Sequence, residues 1–338
     1  YPKWFLKIIK RKSNPYSYLY FFFWQIGIFF IAKPFIKKIK FDFIHQVTFV
    51  SLRFPNLLCL YNIPFIFGPV AGGEKVPYQL KKGIPFIYRL IELLRDLSNY
   101  YIKISPLMNI TFSKSYKIFV TTKETKNLIP SRYHHKTEVM LAIGMSDMPN
   151  INSNFNRDKK SFNICYVGKL VYWKGLLIVL KTFSEIKKKN KNITLYIAGS
   201  GPIEAELKKK SEKMNIHNSI KWLGQIKRKE IINLFNQSTI LLKPTFRDSG
   251  PYVILEAMSC GLPVATLNLG GSSQLVDNDC GIKINTNQKT EDEIVRELSN
   301  SINDLIINNS MIDYKSKKSI EQSKKFSWKK KALTIYKH

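Results

Sequence analysis

The sequence predicts an α/β protein built from two doubly wound, Rossmann-like domains. Short apolar runs rich in β-branched and aromatic residues alternate with segments of helical spacing, a pattern typical of parallel sheets covered by helices. A polar stretch at residues 149–160 divides this alternation into two series, so we expect a linker there. With 338 residues, 44% of them apolar, the chain is long enough for two domains. We therefore predict a first domain at residues 1–150 and a second at 151–318.

The second series is the more regular one. Predicted strands occupy residues 161–168, 193–201, 220–226, 239–244 and 263–267, and predicted helices occupy 175–189, 203–213 and 229–237. Three of these strands end at Gly168, Gly199 and Pro244. Parallel strands deliver their loops to one edge of a sheet, where ligands bind. A final helix at residues 319–338 is expected to pack back on the first domain.

The first series is less complete. Predicted strands cover residues 41–50, 63–73, 117–125 and 139–147, a predicted helix covers 86–97, and the segment between the first two strands is long enough for a crossover helix. The most hydrophobic stretch, residues 16–36, is interrupted by Gln25 and Gly27 and is shorter than the roughly 20 apolar residues of a spanning helix. We interpret it as a buried or interfacial helix, ended or kinked at Pro34.

Charge is the most conspicuous feature of the composition. The formal net charge is +30, which is compatible with nucleic acid, an anionic membrane surface or anionic small molecules as partners. Lysine greatly outnumbers arginine, which argues against sequence-specific nucleic-acid recognition because arginine makes the bidentate base contacts. Residues 1–40 carry nine Lys or Arg and no Asp or Glu beside an aromatic run. This clustering favours a peripheral contact with an anionic membrane.

Cysteine usage points to the cytoplasm. The four cysteines lie far apart and match no metal-binding or disulfide spacing, so we expect reduced core thiols. No signal-peptide pattern opens the chain. We expect a cytoplasmic protein, with the inner face of the cell membrane as a further location.

The stretch at residues 246–264 carries the clearest chemistry. Two carboxylates, Asp248 and Glu256, flank a loop in which Ser-Gly-Pro prevents helix continuation, and a helix is predicted to start near Tyr252. The unpaired amides of a helix start bind anions. A carboxylate such as Glu256 can accept hydrogen bonds from both hydroxyls of a ribose. For either acid alone, a structural ion pair or a helix-start interaction is an equally good interpretation.

Two lysines are the expected partners of that stretch. Lys169 and Lys174 flank the turn after the strand at 161–168, where two ammonium groups can clamp a diphosphate, although surface lysines are common in this chain. Neither GxGxxG at this turn nor GxxxxGK[ST] anywhere is present, which weakens dinucleotide and P-loop interpretations. The histidines His134 and His135 suggest no metal site, and His45 is more typical of a core histidine than of a catalytic one.

In their order and spacing, these residues resemble the donor half of the family 4 retaining glycosyltransferases, which have the two-domain GT-B architecture. The similarity covers residues 161–284 and rests on Gly168, Lys169, Lys174, Gly175, Gly199, Gly201, Pro202, Asp248, Glu256 and the run 257–264. This chain departs from the family in having Asp248 where Glu is usual and Lys169 where Arg is common. An arginine would add bidentate phosphate geometry.

The resemblance implies a role for each matching residue. Lys169 and Lys174 would neutralise the donor diphosphate, Glu256 would bind the ribose, and Asp248 would meet the transferred sugar. Further donor contacts are implied for Ser249, Gly250, Pro251, Tyr252, Gly224 and Ile226. Similarity of HQVTFVSLR and FGPVAGGE to one branch of the family makes His45 and Glu74 candidate catalytic contacts. The family's opening strand and glycine loop have no counterpart before residue 41, so we expect an amino-terminal domain that lacks its first strands.

The sequence therefore predicts a metal-independent, retaining glycosyltransferase of the hexosyltransferase type. It would need no cofactor, and would move a sugar from a UDP- or GDP-linked donor to a lipid-linked or polysaccharide acceptor. Residues 151–318 would bind the donor and residues 1–150 the acceptor. Two alternatives stay open: a nucleotide-sugar epimerase of the same architecture, and a basic nucleic-acid-binding protein.

Overall fold

A computed structural model describes residues 16–81, 84–146 and 162–336, with side chains from residue 23 onward and at residue 21. The predicted linker at 149–160 and the most basic part of the amino-terminal segment lie outside these residues. The chain divides into two compact units. The first comprises Tyr1–Gly73 and Leu94–Met140, and the second comprises Glu74–Leu93 and Leu141–His338. Residues 74–93 and 141–146, which the sequence analysis placed in the first domain, thus belong to the second unit.

The first unit contains a parallel sheet of four strands in the order β1-β2-β3-β4. The strands are β1 (Ile44–Gln46), β2 (Phe65–Val70), β3 (Ser115–Val120) and β4 (Thr137–Val139). The helices are α1 (Tyr16–Lys38), α2 (Phe86–Ile104, shared with the second unit), α3 (Pro106–Lys114) and α4 (Lys123–Lys126). A core that includes Leu52, Phe65, Met108 and Phe112 fills this unit.

Several predictions for the first unit were wrong in detail. The strand predicted at 41–50 spans only Ile44–Gln46, because Phe49 adopts a left-handed φ of 60° that ends extended pairing. The expected crossover helix is a single 3₁₀ turn, Leu57–Leu60. Helix α1 continues past Pro34 to Lys38, so Pro34 does not end it, and the predicted alternative of a kink there stays a prediction. Because Pro34 has no N–H, the carbonyl of Phe30 loses its helical hydrogen bond. Phe30 is exposed to water. Within the described residues, no helix is both long and apolar enough to cross a membrane.

The second unit contains a parallel sheet of six strands in the order β10-β9-β8-β5-β6-β7. Its strands are β5 (Phe162–Val167), β6 (Ile193–Ala198), β7 (Ile220–Gly224), β8 (Ile240–Lys243), β9 (Val264–Leu267) and β10 (Gly281–Ile284). Its helices are α5 (Leu176–Lys189), α6 (Glu204–Lys213), α7 (Arg228–Gln237), α8 (Tyr252–Ser259), α9 (Ser272–Leu275), α10 (Glu291–Ile307), α11 (Asn309–Ser323) and α12 (Trp328–Tyr336). Two apolar clusters form its core. The predicted α/β class and parallel sheets are confirmed.

The carboxy-terminal segment differs from the single helix predicted at 319–338. Met145 pairs with Ser327 as an isolated parallel bridge, accepting a hydrogen bond from Trp328 N–H at 3.2 Å and donating one to Phe326 O at 3.1 Å. This pairing holds Ser327 extended, which ends α11 and its following 3₁₀ turn before α12 begins. The strand predicted at 139–147 is also different: β4 ends at Val139, and Met145 pairs with Ser327 instead.

Candidate functional site

The site lies where the strand order of the second unit reverses. The chain runs from β5 through β6 to β7 on one side, and then returns to β8, β9 and β10 on the other. Strands β5 and β8 are therefore neighbours that are far apart in sequence, with Ile164 paired to Ile240 and Cys165 to Leu241. Ligands of doubly wound sheets bind at such switch points, beyond the carboxyl ends of the strands. The loops after β5 and β8 both carry predicted site residues.

Glycines allow the loops after β5 and β6 to pack against each other. A Cβ atom on Gly199 would lie 1.9 Å from the Gly168 carbonyl oxygen, and one on Gly201 would lie 2.2 Å from the Leu170 carbonyl oxygen. Gly168 and Gly199 also have positive φ angles of 147° and 136°. Only glycine tolerates both the contact and the backbone conformation. These glycines shape the turn at Gly168–Lys174, hereafter called the Gly168 turn.

The structure brings Lys174 together with Asp248. The Lys174 ammonium forms a half-buried ion pair and hydrogen bond with Oδ2 of Asp248. Lys174 ends a 3₁₀ turn that is followed by Gly175. The backbone at Gly175 packs closely against the loop after β8, since a Cβ on this glycine would lie 2.0 Å from the Pro244 carbonyl oxygen. Lys169 lies exposed on the same turn and forms no ion pair with any residue of the described ranges. One lysine thus neutralises the carboxylate and the other is available to an anion.

Backbone hydrogen bonds hold the loop that carries Asp248. Its carbonyl oxygen accepts a hydrogen bond from Gly271 N–H at 2.7 Å, and Oδ1 accepts one from Gly250 N–H at 3.3 Å. Pro251, two residues after Ser249, lies against Gly271. A Cβ added to Gly271 would come within 2.7 Å of Cδ of the proline ring. Helix α8 begins at Tyr252, which confirms the predicted helix start.

Glu256 lies within the first turns of α8 and is 7% exposed. Its Oε1 atom is 3.1 Å from Nη2 of Arg228, at the start of α7. Burial raises the pKa of Glu256, and the Arg228 charge and hydrogen bond oppose that rise. The carboxylate therefore has an exposed arginine as its partner. A ribose at Glu256 would have to share the carboxylate with Arg228 or displace it.

The remaining predicted donor contacts lie at the end of β7. Gly224 has a positive φ of 63°, accepts a hydrogen bond from Gly199 N–H at 2.7 Å and has open space where a side chain would be. Ile226 packs against one of the two apolar clusters of this unit. The hydrogen bond ties the end of β7 to the glycine turn after β6.

The two candidate catalytic residues of the first series lie in different units. Glu74 is 5% exposed. Gly270 lies between Glu74 and Asp248: a Cβ added to this glycine would be 3.5 Å from Cγ of Glu74 and 2.6 Å from the Asp248 carbonyl oxygen. Glu74 therefore lies near the Asp248 loop. His45 belongs to the first unit, where its Nε2 is 2.6 Å from the Gly68 carbonyl oxygen. Burial lowers the pKa of His45.

Sequence reasoning missed a buried lysine at the same switch point. Lys243 ends β8, and its Nζ donates a hydrogen bond to the Val167 carbonyl oxygen at 2.6 Å. It lies 4.2 Å from the centroid of the Tyr166 ring. The only available signal was a charged residue in the apolar run TILLKP.

Sequence reasoning also missed a buried ion pair next to Asp248. The Arg247 guanidinium pairs with Glu92, a residue of the first half of α2 that belongs to the second unit. The Tyr172 hydroxyl donates to Oε1 of Glu92 at 2.5 Å, and Arg247 lies over the Trp173 ring at 4.9 Å. These contacts join the Gly168 turn, which carries both aromatic residues, to the loop after β8.

Among the residues that the structure describes, no group of three or more His, Cys, Asp or Glu side chains is arranged to hold a metal ion.

Two parallel α/β sheets, one of them with two lysines and two carboxylates at its switch point, have the architecture of the GT-B glycosyltransferases. The profile of the family described as glycosyl transferases group 1 matches residues 147–319, about half of the chain. The chain belongs to this family and is a glycosyltransferase.

Relatives and solved structures agree with this assignment. The chain is 25% identical to an uncharacterized glycosyltransferase of Methanocaldococcus jannaschii over 87% of its own length and 74% of the relative. It is 29% identical to one component of the human phosphatidylinositol N-acetylglucosaminyltransferase, over 36% of this chain and 25% of that protein. The apo structure of the lipopolysaccharide outer core galactosyltransferase WaaB matches its fold with a TM-score of 0.63 at 12% identity, covering 92% of this chain and 80% of that one.

Proposed function

We propose that this glycosyltransferase moves a sugar from a UDP- or GDP-linked donor to a glycan or lipid-linked acceptor, with retention and without a metal. The observation that carries the proposal is the ion pair between Lys174 and Asp248 at the switch point, with the exposed Lys169 on the same turn. Two cations and one carboxylate at a strand edge match a diphosphate joined to a hydroxyl-rich sugar.

The donor would be bound by the following residues. Lys169 and Lys174 neutralise the diphosphate, with backbone amides from Ser249 to Tyr252 adding donors near the start of α8. Glu256 accepts the ribose hydroxyls, and Gly224 and Ile226 border the base. Two similar structures contain such ligands: a pneumococcal O-GlcNAc transferase is bound to UDP and GlcNAc, and an Anabaena protein, HepE, to UDP and glucose.

The ion pair gives the site a mechanism for coupling donor binding to catalysis. A donor diphosphate competes with Asp248 for the Lys174 ammonium, which frees the carboxylate to accept hydrogen bonds from the sugar. As the bond between the anomeric carbon and the diphosphate oxygen breaks, negative charge grows on the leaving group and positive character grows on the sugar. Once the diphosphate is bound, the two lysine charges stabilise that leaving-group charge, which is why a metal is not required in this proposal.

The proposal is tested by following the anomeric carbon of labelled nucleotide sugars in the presence of lipid and polysaccharide fractions as acceptors. We expect the carbon to appear in a glycoside with the configuration it had in the donor. Conversion of the labelled donor to an isomeric nucleotide sugar, with no glycoside formed, would instead support the epimerase alternative.

We also propose that the enzyme contacts an anionic membrane peripherally, in the cytoplasm. The part of helix α2 that belongs to the first unit has an inverted distribution of polarity: it buries Asn99, whereas Leu94 and Leu97 are 57% and 59% exposed. An apolar helix face on a protein with a net charge of +30 suits a surface of acidic lipids.

Binding to phosphatidylglycerol vesicles tests this contact. We expect cosedimentation at low salt, and a loss of about tenfold or more in Leu94→Glu/Leu97→Glu, because each leucine contributes roughly 1.5–3 kcal/mol when buried. The matched control is Ile307→Glu on α10, which is 84% exposed and should bind as the wild type does. Salt at about 0.5–1 M, where the screening length approaches 3 Å, should release part of the protein. Binding unaffected by the double substitution would rule out α2 as the contact.

A further inference from the structure

A buried lysine lies directly beneath the candidate diphosphate site. Lys243 is 3% exposed, and its Nζ donates to the Val167 carbonyl oxygen at 2.6 Å while facing the Tyr166 ring at 4.2 Å. A Cβ added to Gly168 would come within 2.3 Å of this Nζ. The amino group therefore touches the underside of the turn that carries Lys169.

The surroundings of Lys243 do not satisfy an ammonium group fully. An ammonium has three hydrogens to donate, and among the described residues Nζ makes one hydrogen bond, to Val167, besides its contact with the Tyr166 ring. The rest of β8, from Ile240 to Leu242, is apolar and buried. An unbranched apolar side chain would fill the same space without the cost of burying a cation. The amine therefore has a role beyond packing.

Burial, assisted by a neighbouring charge, brings the pKa of Lys243 close to neutral pH. Burial and, secondarily, the Lys174 charge lower the pKa of Lys243 to about 7, against the opposing effects of Asp248 and Cys165. Tyr166, on which Nζ rests, has its own pKa raised well above the usual value by burial and by Asp248, so it stays neutral. Lys243 therefore changes its charge near neutral pH, unlike an exposed lysine.

We propose that Lys243 is a third cationic group of the donor site, which takes up a proton from solvent when a diphosphate binds at Lys169 and Lys174. This rests on the proposed function, because it requires an anion at the Gly168 turn. A diphosphate brings negative charge close to Nζ and draws the Lys174 charge to itself, and both effects favour the protonated amine. By reciprocity, protonation of Lys243 strengthens diphosphate binding by the same factor.

The sign of the pH dependence follows from this linkage. Well below pH 7 Lys243 is already protonated, so binding takes up no proton there and affinity does not depend on this group. As the pH rises through the free-protein pKa of about 7, each binding event must import a proton. Affinity should therefore fall with rising pH, by up to about tenfold per unit, until the pKa of the complex is passed.

Titration calorimetry with UDP and GDP tests the proposal. At about pH 7.5, in HEPES and in Tris, whose ionisation enthalpies differ, we expect the tighter nucleotide to bind with uptake of roughly 0.5–0.8 proton. Lys243→Met, which keeps an unbranched side chain that is one atom shorter and uncharged, should bind more weakly, with no uptake and with an affinity nearly constant between about pH 7 and 9. A terminal phosphate titrates near pH 6, below this window.

The matched control is Lys315→Met, because Lys315 is also buried and its Nζ donates to the Gly281 carbonyl oxygen at 3.0 Å, away from the switch point. It should retain the proton uptake of the wild type. Nucleotide binding without uptake, or equal uptake in Lys243→Met, would overturn the role of Lys243 and leave the donor site intact. Failure of folded wild type to bind either nucleotide would overturn both proposals. Should Lys243→Met not fold, the absence of proton uptake by wild type in the two buffers would still overturn the role of Lys243.

Discussion

Replacing Lys174 with methionine should lower the rate of sugar transfer by about 10²–10³-fold, the usual effect of removing one charged group that stabilises a transition state. Lys174 is the cation that the structure places against the candidate catalytic carboxylate, half-buried at the switch point. Affinity for UDP or GDP should also fall, by about 10–100-fold, because a charge-assisted hydrogen bond contributes about 1.5–3 kcal/mol. Calorimetry and transfer assays measure the two effects separately.

Two variants control for indirect effects of this substitution. Lys181→Met removes a lysine from α5 that pairs with Glu291 at 2.8 Å, outside the site, and should leave transfer unchanged. Asp248→Asn in the Lys174→Met background removes the carboxylate left without its partner, so it should recover stability but not activity. Wild-type transfer rates in Lys174→Met would show that the diphosphate binds elsewhere.

Replacing Glu92 with alanine should destabilise the protein by about 3–5 kcal/mol, because it leaves the Arg247 guanidinium largely buried without its carboxylate. The Tyr172 hydroxyl loses its acceptor at the same time. Urea unfolding followed by circular dichroism measures the change. Because Arg247 precedes Asp248 in sequence, donor affinity should fall as well at temperatures where the variant is folded.

The control for Glu92→Ala is the same substitution in an exposed ion pair. Glu321 pairs with Lys318 at 2.7 Å on the surface of α11, so Glu321→Ala should unfold at the same urea concentration as the wild type. Arg247→Met/Glu92→Leu removes both charges and should recover most of the loss. Unchanged stability in Glu92→Ala would mean that the pair is open to water in solution.

Local sequence signals predicted most of the second unit. Strands β5 to β9 and the start of α8 lie within a few residues of the predicted positions, because apolar runs, glycine turns and the Ser-Gly-Pro break act over short distances. The structure adds the reason for the glycines at 199 and 201: each faces a carbonyl oxygen of the loop after β5. The first unit was less predictable, since its strands are short and pair with distant partners.

The unpredicted parts of the site depend on contacts between distant segments. Arg247 and Glu92 are 155 residues apart, and Lys243 is buried only because β8 returns beside β5. Neither the Arg247–Glu92 ion pair nor the burial of Lys243 is signalled by a periodic pattern or a motif spacing in the sequence. For Glu256, the pattern left ribose binding and an ion pair equally open, and the structure contains the ion pair, with Arg228. The donor roles of the site residues stay proposals.

The most direct test of the proposed chemistry is NMR spectroscopy of the labelled anomeric carbon during incubation with UDP- and GDP-sugars and acceptor fractions. We predict a glycoside that retains the donor configuration, forms equally in the presence of EDTA, and is absent with Glu256→Ala. An inverted glycoside, loss of product in EDTA, an isomerised nucleotide sugar with no glycoside, or equal product from Glu256→Ala would contradict the proposal.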